Sequence, residues 1–329
     1  MTIRPRLSPA IADIRRAVRD HLTELDAGQL VLVALSGGPD SLALAAATAF
    51  EAPRAGVRAG AVVIDHALQQ GSADVAAAAS AAAVSLGLHP TLVCRVTVDA
   101  TGGPEAAART ARYAALERAR VDTGAACILL GHTLDDQAET VLLGLARGSG
   151  STSLSGMDAV SGTLRRPLLG IRRPTTEQFC VDSGLAPWND PHNDEPRFAR
   201  VRVRKNVLPL LERELGPGIA EALARTAELV REDAWALDLF AEEIIEELAD
   251  HAEAGISLPV GALAANPPAL RQRLIRLAVH SEFHITLSRQ HTLEVARLIT
   301  DWHGQKPLDL PGIRVERQGG LIVFTSRDQ

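Results

Sequence analysis

The chain has 329 residues, of which 46% are hydrophobic, 22% charged and 3% aromatic, and its formal net charge is −6. This length predicts two domains, the hydrophobic fraction is typical of globular proteins, and the acidic balance argues against a protein that coats nucleic acid over its whole surface. Cys94, Cys127 and Cys180 are widely spaced, which argues against a disulfide framework or a cysteine-rich metal site. Segment 11–22 mixes charged with apolar residues, and no apolar run reaches the ~20 residues of a membrane span. We therefore expect a cytoplasmic protein that does not bind a membrane.

The first half of the chain alternates apolar runs with amphipathic segments. Runs that are continuously apolar are typical of strands covered on both faces of a parallel sheet. Their alternation with helices predicts an α/β domain with a doubly wound, mostly parallel sheet, in which ligands bind at the carboxyl ends of the strands. Strands are predicted at residues 29–35, 59–64, 91–98 and 125–131, and helices at 41–50, 74–86, 105–122 and 135–146.

The pattern changes after residue 206. Apolar residues then recur at helical spacing, and two short apolar runs flank Gln318-Gly319-Gly320 near the end, a pattern that indicates a hairpin. We expect a first domain over 1–209 and a smaller, mainly helical second domain over 210–329 that ends in this hairpin. Helices are predicted at 218–253, 267–282 and 288–302, and the hairpin strands at 313–317 and 321–324.

Ser36-Gly37-Gly38-Pro39-Asp40-Ser41 lies between the first predicted strand and its helix. Two glycines allow a tight turn that directs backbone N–H groups at an anion, and the helix N-terminus adds positive potential. Ser36 and Ser41 offer hydroxyl groups to phosphate oxygens, and Asp40 can bind Mg²⁺ or cap the helix. A simple strand-to-helix turn explains the same residues about as well. The Walker pattern and GxGxxG are both absent, which argues against a P-loop ATPase and a dinucleotide enzyme.

A second polar segment, His132 to Thr140, follows the fourth strand. On a helix, Asp135 and Glu139 share one face, as do Asp136 and Glu139. Such a carboxylate cluster is unfavourable unless it meets a cation, and the candidates are Mg²⁺ and an ammonium group. The alternative is that Asp135 and Asp136 simply stabilise the helix N-terminus, which leaves Glu139 unexplained.

Taken together, these motifs resemble a known family. Ser-Gly-Gly-x-Asp-Ser after the first strand is similar to the pyrophosphate-binding loop of the N-type ATP pyrophosphatases, or PP-loop superfamily. Residues 131–150, GHTLDDQAETVLLGLARGSG, resemble the signature of the tRNA(Ile)-lysidine synthases, here in their shorter form. The family usually has serine where His192 stands and asparagine where Val201 stands. Further matches, in order within residues 29–209, are Asp65-His66, Glu105 with Arg109 and Arg112-Tyr113, 166–169, and Trp188 to Asn193 continuing to Pro209.

The resemblance implies a carbon–nitrogen ligase. In that reaction ATP adenylates the wobble cytidine of a CAU-anticodon tRNA(Ile) at O2, and the ε-amine of free L-lysine displaces AMP from C2. The implied cofactors are ATP and Mg²⁺, the partners are this tRNA and lysine, and a homodimer is left open. The second domain is expected to assist tRNA binding.

The resemblance and the residue chemistry together give a set of expected roles. Four residues are expected to be catalytic: Asp40, His132, Asp136 and Glu139. Asp40 is the first candidate ligand for Mg²⁺, and Asp136 is the second. ATP is expected to contact the 36–41 loop, Asp65 and His66. Lysine is expected to contact Asp135, Asp136 and Glu139. For the tRNA we expect Arg109, Arg112, Arg197, Arg200, Arg202 and Arg204.

The tRNA prediction depends on geometry that the sequence leaves open. The arginines of 197–204 alternate with apolar residues, so an extended segment would present one basic face to an RNA backbone. A solvated charged run is the alternative, as is an exposed helix face for Arg109 and Arg112. Two other functions remain: a PP-loop tRNA thiolase, which needs catalytic or cluster-binding cysteines, and a catalytically silent tRNA- or nucleotide-binding protein.

Overall fold

The structure is a computed structural model that describes residues 7–65, 71–96, 104–148, 150–190, 195–252 and 255–327. The chain divides into two compact units, residues 1–228 and 229–329. The functional boundary expected at residues 209–210 stays a prediction.

The first unit contains a six-stranded sheet in the order β3-β2-β1-β4-β6-β5. Five strands, from β3 through β6 in this order, are parallel, so the sheet is mostly parallel as the sequence predicted, and β5 pairs antiparallel with β6 at one edge. The sequence pattern missed this two-residue pair because its strands are too short to show a period. The strands are β1 Leu30–Ala34, β2 Arg58–Asp65, β3 Thr91–Arg95, β4 Cys127–Leu129, β5 Val160–Ser161 and β6 Leu164–Arg165.

Both faces of this sheet are covered by helices. On β1, Val31 and Val33 face one buried cluster, whereas Leu30 and Leu32 face another. Burial on both sides explains why the strand is apolar throughout rather than alternating. The helices of the first unit, the last of which continues into the second, are α1 Pro9–Leu22, α2 Pro39–Glu51, α3 Ser72–Ser85, α4 Pro104–Thr123, α5 Leu134–Arg147, α6 Ser151–Leu154, α7 Arg173–Asp182, α8 Ala199–Arg202, α9 Leu208–Leu215 and α10 Ile219–Leu248.

The arginine-rich segment, residues 197–204, is helical from Ala199 onward, so it does not adopt the extended form in which one face would be basic. Helix α8 runs into a π-helical turn, Val203–Val207, and then into α9. Val203 and Leu208 are buried against Leu134 and Ala138 of α5. Their five-residue spacing places both on one face of a widened helical turn. Packing of this face on α5 therefore decides the conformation, in which Arg202 is exposed and Arg204 faces Glu139 of α5.

The second unit contains more sheet than the sequence predicted. Its antiparallel sheet has the order β7-β8-β11-β10-β9, and the predicted hairpin forms its β10–β11 pair, with Gln318 opposite Leu321. Helix α10 ends at Leu248 rather than 253, because β7 begins two residues later. The elements are β7 Asp250–Ala252, β8 Gly255–Pro259, α11 Val260–Ala265, α12 Pro268–Phe283, α13 Arg289–Thr300, β9 Leu308–Leu310, β10 Ile313–Gln318 and β11 Leu321–Ser326.

Among the described residues, no helix combines the length and apolar character needed to cross a membrane.

Candidate active site

The 36–41 loop joins β1 to α2 at the carboxyl end of the central strand. Gly37 has a φ of +87°, a conformation that favours glycine. Ser41 Oγ holds the turn closed, because it accepts from the Ser36 N–H at 3.1 Å and donates to the Gly38 carbonyl at 3.0 Å. The N–H groups of Gly37 and Gly38 have no acceptor among the described residues. The loop therefore presents unpaired donors at the positive end of a 13-residue helix.

Two distant segments fix the loop in place. The Trp188 N–H donates to the Gly37 carbonyl at 2.9 Å. Gly131, two residues after the end of β4, lies so close to α2 that a Cβ atom there would sit 3.1 Å from backbone atoms of Asp40 and Ser41. The contact between Trp188 and the loop was not predicted from the sequence, because it is made by the backbone.

Asp40 lies in the first turn of α2 and faces α7. Its Oδ1 accepts from the Thr176 hydroxyl, and its Oδ2 lies 3.4 Å from Arg173 Nε, the long limit of a hydrogen bond. Burial raises the pKa of Asp40, although the Thr176 hydroxyl and the Arg173 charge act in the opposite direction. Each carboxylate oxygen accepts from one donor only, so the carboxylate has acceptor capacity left for a further partner.

Helix α5 begins with a capping box formed by Thr133 and Asp136. Asp136 Oδ2 accepts from the Thr133 N–H and hydroxyl, each at 2.9 Å, and the Thr133 hydroxyl faces the Asp136 N–H. Asp136 Oδ1 accepts from Arg173 Nη2 at 2.8 Å and from Arg204 Nη2 at 3.4 Å. Burial opposes ionisation, but Arg173, Thr133 and Arg204 together lower the pKa of Asp136 below its ordinary value. The capping interpretation and the cation-binding interpretation therefore both describe this residue.

Glu139 is fully buried and lies among three guanidinium groups. Arg204 binds it through two nitrogens, with Nε 2.6 Å from Oε1 and Nη2 3.1 Å from Oε2. Arg173 Nη1 lies 3.4 Å from Oε1, and Arg200 Nε lies 3.7 Å from Oε2. The cation that the carboxylate cluster requires is therefore supplied by arginines of α7, α8 and the π-helical turn.

Asp135 has different partners, although it lies on the same helix. Its carboxylate pairs with Arg172 at 3.2 Å and accepts from the Arg173 backbone N–H at 2.7 Å. Arg172 also pairs with Glu221 at 2.6 Å. Asp135 therefore caps α7, and its ion-pair partner, Arg172, differs from those of Glu139. The expected contact of Asp135 with lysine stays a prediction.

Arg173 joins the two halves of the site. Each of its three guanidinium nitrogens faces a different carboxylate, namely Asp40, Asp136 and Glu139. Burial alone would lower the pKa of Arg173, but these carboxylates raise it, so the residue stays charged. Neither Arg172 nor Arg173 was among the site residues expected from the sequence. The carboxylate cluster on α5 indicated that cations must lie nearby. Spacing along the sequence cannot identify which residues supply them.

His132 is uncharged at neutral pH, because burial lowers its pKa to about 3. Its Nδ1 is buried and has no hydrogen-bond partner among the described residues. The positive charges of Arg112, Arg166 and Arg200 also oppose protonation of the ring and so lower its pKa further. His132 is therefore a neutral hydrogen-bonding group beside Asp136.

The six arginines predicted to contact tRNA fall into two sets. Arg200 and Arg204 turn inward to Glu139, and Arg112 is half-buried beside His132. Arg109 is exposed and lies over the Tyr113 ring, whereas Arg197 and Arg202 are exposed on the arginine-rich segment. Arg202 donates to the carbonyls of Pro196 and Arg197. Only the exposed set offers an outward basic surface.

Asp65 is buried at the end of β2, next to the strand that carries the loop, and lies 3.9 Å from Arg95. His66, expected to contact ATP, and His192 lie outside the described residues. Val201, the other departure from the family pattern, is buried in α8.

The residues present fit a magnesium nucleotide. No group of three or more histidine, cysteine or acidic side chains among the described residues forms a metal cage. Mg²⁺ usually binds one or two carboxylates together with substrate phosphates and water, which matches Asp40 beside a loop with unpaired N–H groups. Asp136 is the second candidate ligand, but its Oδ2 is already engaged by Thr133.

Comparison with known proteins agrees with this architecture. The PP-loop domain model matches residues 11–211, and the TilS substrate binding domain model matches residues 258–320. The tRNA(Ile)-lysidine synthase of Leifsonia xyli subsp. xyli is 65% identical over 298 residues, which cover 90% of each chain. The chain belongs to the tRNA(Ile)-lysidine synthase family. The family member from Thermobifida fusca is 50% identical over 322 residues, covering 97% of this chain and 98% of its own.

A solved structure shares the fold. The U34-tRNA thiolase NcsA from Methanococcus maripaludis, with its [4Fe-4S] cluster, superposes with a TM-score of 0.56 over 68% of this chain and 80% of its own. At 20% identity this likeness supports the PP-loop fold alone.

Proposed function

We propose that this chain is an ATP-dependent tRNA(Ile)-lysidine synthase that acts on the CAU-anticodon tRNA with free L-lysine as the amine donor. The observation that carries the proposal is the adjacency of two sites: a loop with unpaired N–H donors and a buried carboxylate pair, linked through Arg173. Family membership supplies the substrates. A phosphate site next to an ammonium site is the arrangement that adenylation followed by amine attack requires.

The first half-reaction uses the loop. O2 of the wobble cytidine attacks the α-phosphorus of ATP, an adenylate forms, and pyrophosphate leaves. The N–H groups of Gly37 and Gly38 and the hydroxyl of Ser36 hold the departing pyrophosphate, and Ser41 keeps the loop closed around it through its bonds to the Ser36 N–H and the Gly38 carbonyl. Asp40 would hold Mg²⁺, with Asp136 as the second candidate ligand, and the bound ion would supply charge neutralisation on the phosphates. Asp65 and His66 are proposed to contact the nucleotide.

The second half-reaction uses α5. Asp136 and Glu139 bind the ammonium group of lysine, and one carboxylate accepts the proton that the amine must lose before it attacks C2. The C2–O2 bond then breaks, and AMP leaves with that oxygen. His132 donates or accepts a hydrogen bond to the base or nucleotide as a neutral ring. Asp135 contributes by placing α7, since its carboxylate is occupied by Arg172 and the Arg173 N–H.

The tRNA is proposed to contact the exposed arginines Arg109, Arg197 and Arg202, with Arg112 reaching the anticodon from inside the site. Arg200 and Arg204 are proposed to act indirectly, because their guanidinium groups bind Glu139 rather than face outward. The second unit is proposed to assist tRNA binding, which its match to a substrate binding domain supports. A homodimer and a cytoplasmic location stay predictions.

The thiolase alternative is not favoured. Cys127 and Cys180 are buried, and Cys94 is half-buried in β3. Burial raises the pKa of all three thiols, that of Cys180 to about 11, so none is an activated thiolate. The catalytically silent alternative has no support from the site, whose loop and carboxylate pair are both intact.

The test is adenylation without lysine. The protein, tRNA(Ile) and Mg²⁺ are incubated with ATP labelled at the α-phosphate, and the RNA is recovered. We expect label on the RNA and release of pyrophosphate, and later addition of lysine should discharge the label as AMP. A silent binding protein would release no pyrophosphate, and a thiolase would not respond to lysine.

A further inference from the structure

The carboxylates of the active site are already neutralised in the protein alone. Asp40, Asp136 and Glu139 contribute three negative charges, and Arg173, Arg200 and Arg204 contribute three positive ones within 3.7 Å of them. Glu139 is fully buried, and both oxygens of Asp136 accept hydrogen bonds. A further cation that binds at Asp136 and Glu139 would therefore add unbalanced positive charge beside carboxylate oxygens that are already engaged by donors.

Arg173 is the group best placed to relieve this excess. Among the described residues, it alone forms ion pairs both with Asp40, beside the phosphate loop, and with Asp136 and Glu139 on α5. Its contacts to Asp40 and Glu139 are long, 3.4 Å each, and only the contact to Asp136, at 2.8 Å, is short. A guanidinium exchanges carboxylate for phosphate readily, because both accept its paired N–H groups.

We propose that Arg173 couples nucleotide binding to lysine binding: it occupies the ammonium site until the phosphates of ATP draw it toward the loop. This inference rests on the proposed function. Movement of the guanidinium away from Asp136 and Glu139 exposes oxygens for the lysine ammonium and removes one positive charge from beside them, so that Arg200 and Arg204 just balance the two carboxylates. Lysine therefore binds weakly to the free protein and more tightly once a nucleotide is present. The coupling is reciprocal, so lysine also strengthens nucleotide binding.

Arg172 offers a matched control. It is the adjacent residue with the same charge and flexibility, but it pairs with Asp135 and Glu221 and not with the three cluster carboxylates. Arg172→Gln and Arg173→Gln thus remove one charge each from neighbouring positions. Only the second removes the proposed link.

The test measures lysine binding by isothermal titration calorimetry without RNA, with and without Mg²⁺ and α,β-methylene-ATP, whose α–β bond does not break. For the unchanged protein and Arg172→Gln we expect the nucleotide to tighten lysine binding by at least about fivefold. For Arg173→Gln we expect lysine to bind the free protein more tightly than in the unchanged protein, with less than about twofold response to the nucleotide. Arg173→Lys, which keeps the charge but reaches fewer carboxylates at once, should retain part of the coupling.

Several results would overturn the coupling. One is a lysine affinity in the unchanged protein that is the same with and without nucleotide, including no measurable binding in either state. Another is full coupling in folded Arg173→Gln, or its loss in Arg172→Gln. If Arg173→Gln fails to fold, full coupling in Arg173→Lys together with its loss in Arg172→Gln would count equally against the idea. Normal transfer of lysine to tRNA in a parallel assay would show that the proposed function survives such a failure.

Discussion

Replacement of Glu139 by glutamine tests whether the buried ion-pair network stabilises the first unit. Both oxygens of Glu139 face guanidinium donors: Oε1 faces Arg204 Nε and Arg173 Nη1, and Oε2 faces Arg204 Nη2 and Arg200 Nε. In either orientation, the amide group introduced by Glu139→Gln would direct a donor at two other donors. The change also leaves one positive charge unbalanced in the cluster.

The expected loss follows from the burial of the group. Removing one partner of a buried ion pair costs about 3–5 kcal/mol. Here the carboxylate is fully buried, but the Arg173, Arg204 and Arg200 side chains remain 16%, 27% and 32% exposed, so water partly solvates the remaining charge. We therefore expect the lower end, about 3 kcal/mol, or roughly a 150-fold shift of the unfolding equilibrium.

The assay is urea unfolding followed by the fluorescence of Trp188, the one tryptophan of the first unit, in a Trp235→Phe/Trp302→Phe background. Glu117→Gln is the control, because its pair with Arg120 is half-exposed, and we expect no measurable change. Equal losses for Glu139→Gln and Glu117→Gln would refute a stabilising role of the network. Adding Arg204→Gln to Glu139→Gln should cost less than the two single losses combined.

Three further outcomes follow from the site. Asp40→Asn should abolish tRNA-dependent pyrophosphate release while leaving tRNA binding in a filter assay largely intact; loss of binding with normal pyrophosphate release would contradict the role of Asp40. Gly131→Ala places a methyl group 3.1 Å from the Asp40–Ser41 backbone and must displace the loop by a few tenths of an ångström, so we expect the KM for ATP to rise about tenfold with little change in tRNA affinity. Arg197→Gln/Arg202→Gln should weaken tRNA binding and reduce the slope of log K against log salt by roughly one to two; an unchanged slope would exclude these arginines from the RNA interface.

The sequence predicted those parts of the fold and site whose structure depends on residues that are neighbours in the chain. The β1–loop–α2 unit follows from a fully apolar strand, two glycines and a helix start, and all three appear where the sequence placed them. The start of α5 was equally readable, because Thr133 and Asp136 form their capping box within four residues. The closing hairpin is likewise confirmed, with a two-residue turn at Gly319-Gly320.

The pairing of charges was not predictable in the same way. Arg173 is 133 residues from Asp40 and 37 from Asp136, so no spacing rule connects them. The arginine-rich segment was misread because alternation of Arg and Val fits an extended strand locally. Its helical form depends on burial of Val203 and Leu208 against α5, a tertiary contact. Consequently, Arg200 and Arg204 were expected to face RNA, but their guanidinium groups face Glu139.

The central claim is that this chain joins lysine to the wobble cytidine of tRNA(Ile). The most direct measurement incubates the protein with ATP, Mg²⁺, radiolabelled L-lysine and a CAU-anticodon tRNA(Ile) transcript, beside a transcript whose wobble cytidine is replaced by uridine. We predict label on the first RNA, none on the second, and none without ATP. Folded protein that fails to label the authentic transcript, or labels both transcripts equally, would contradict this claim.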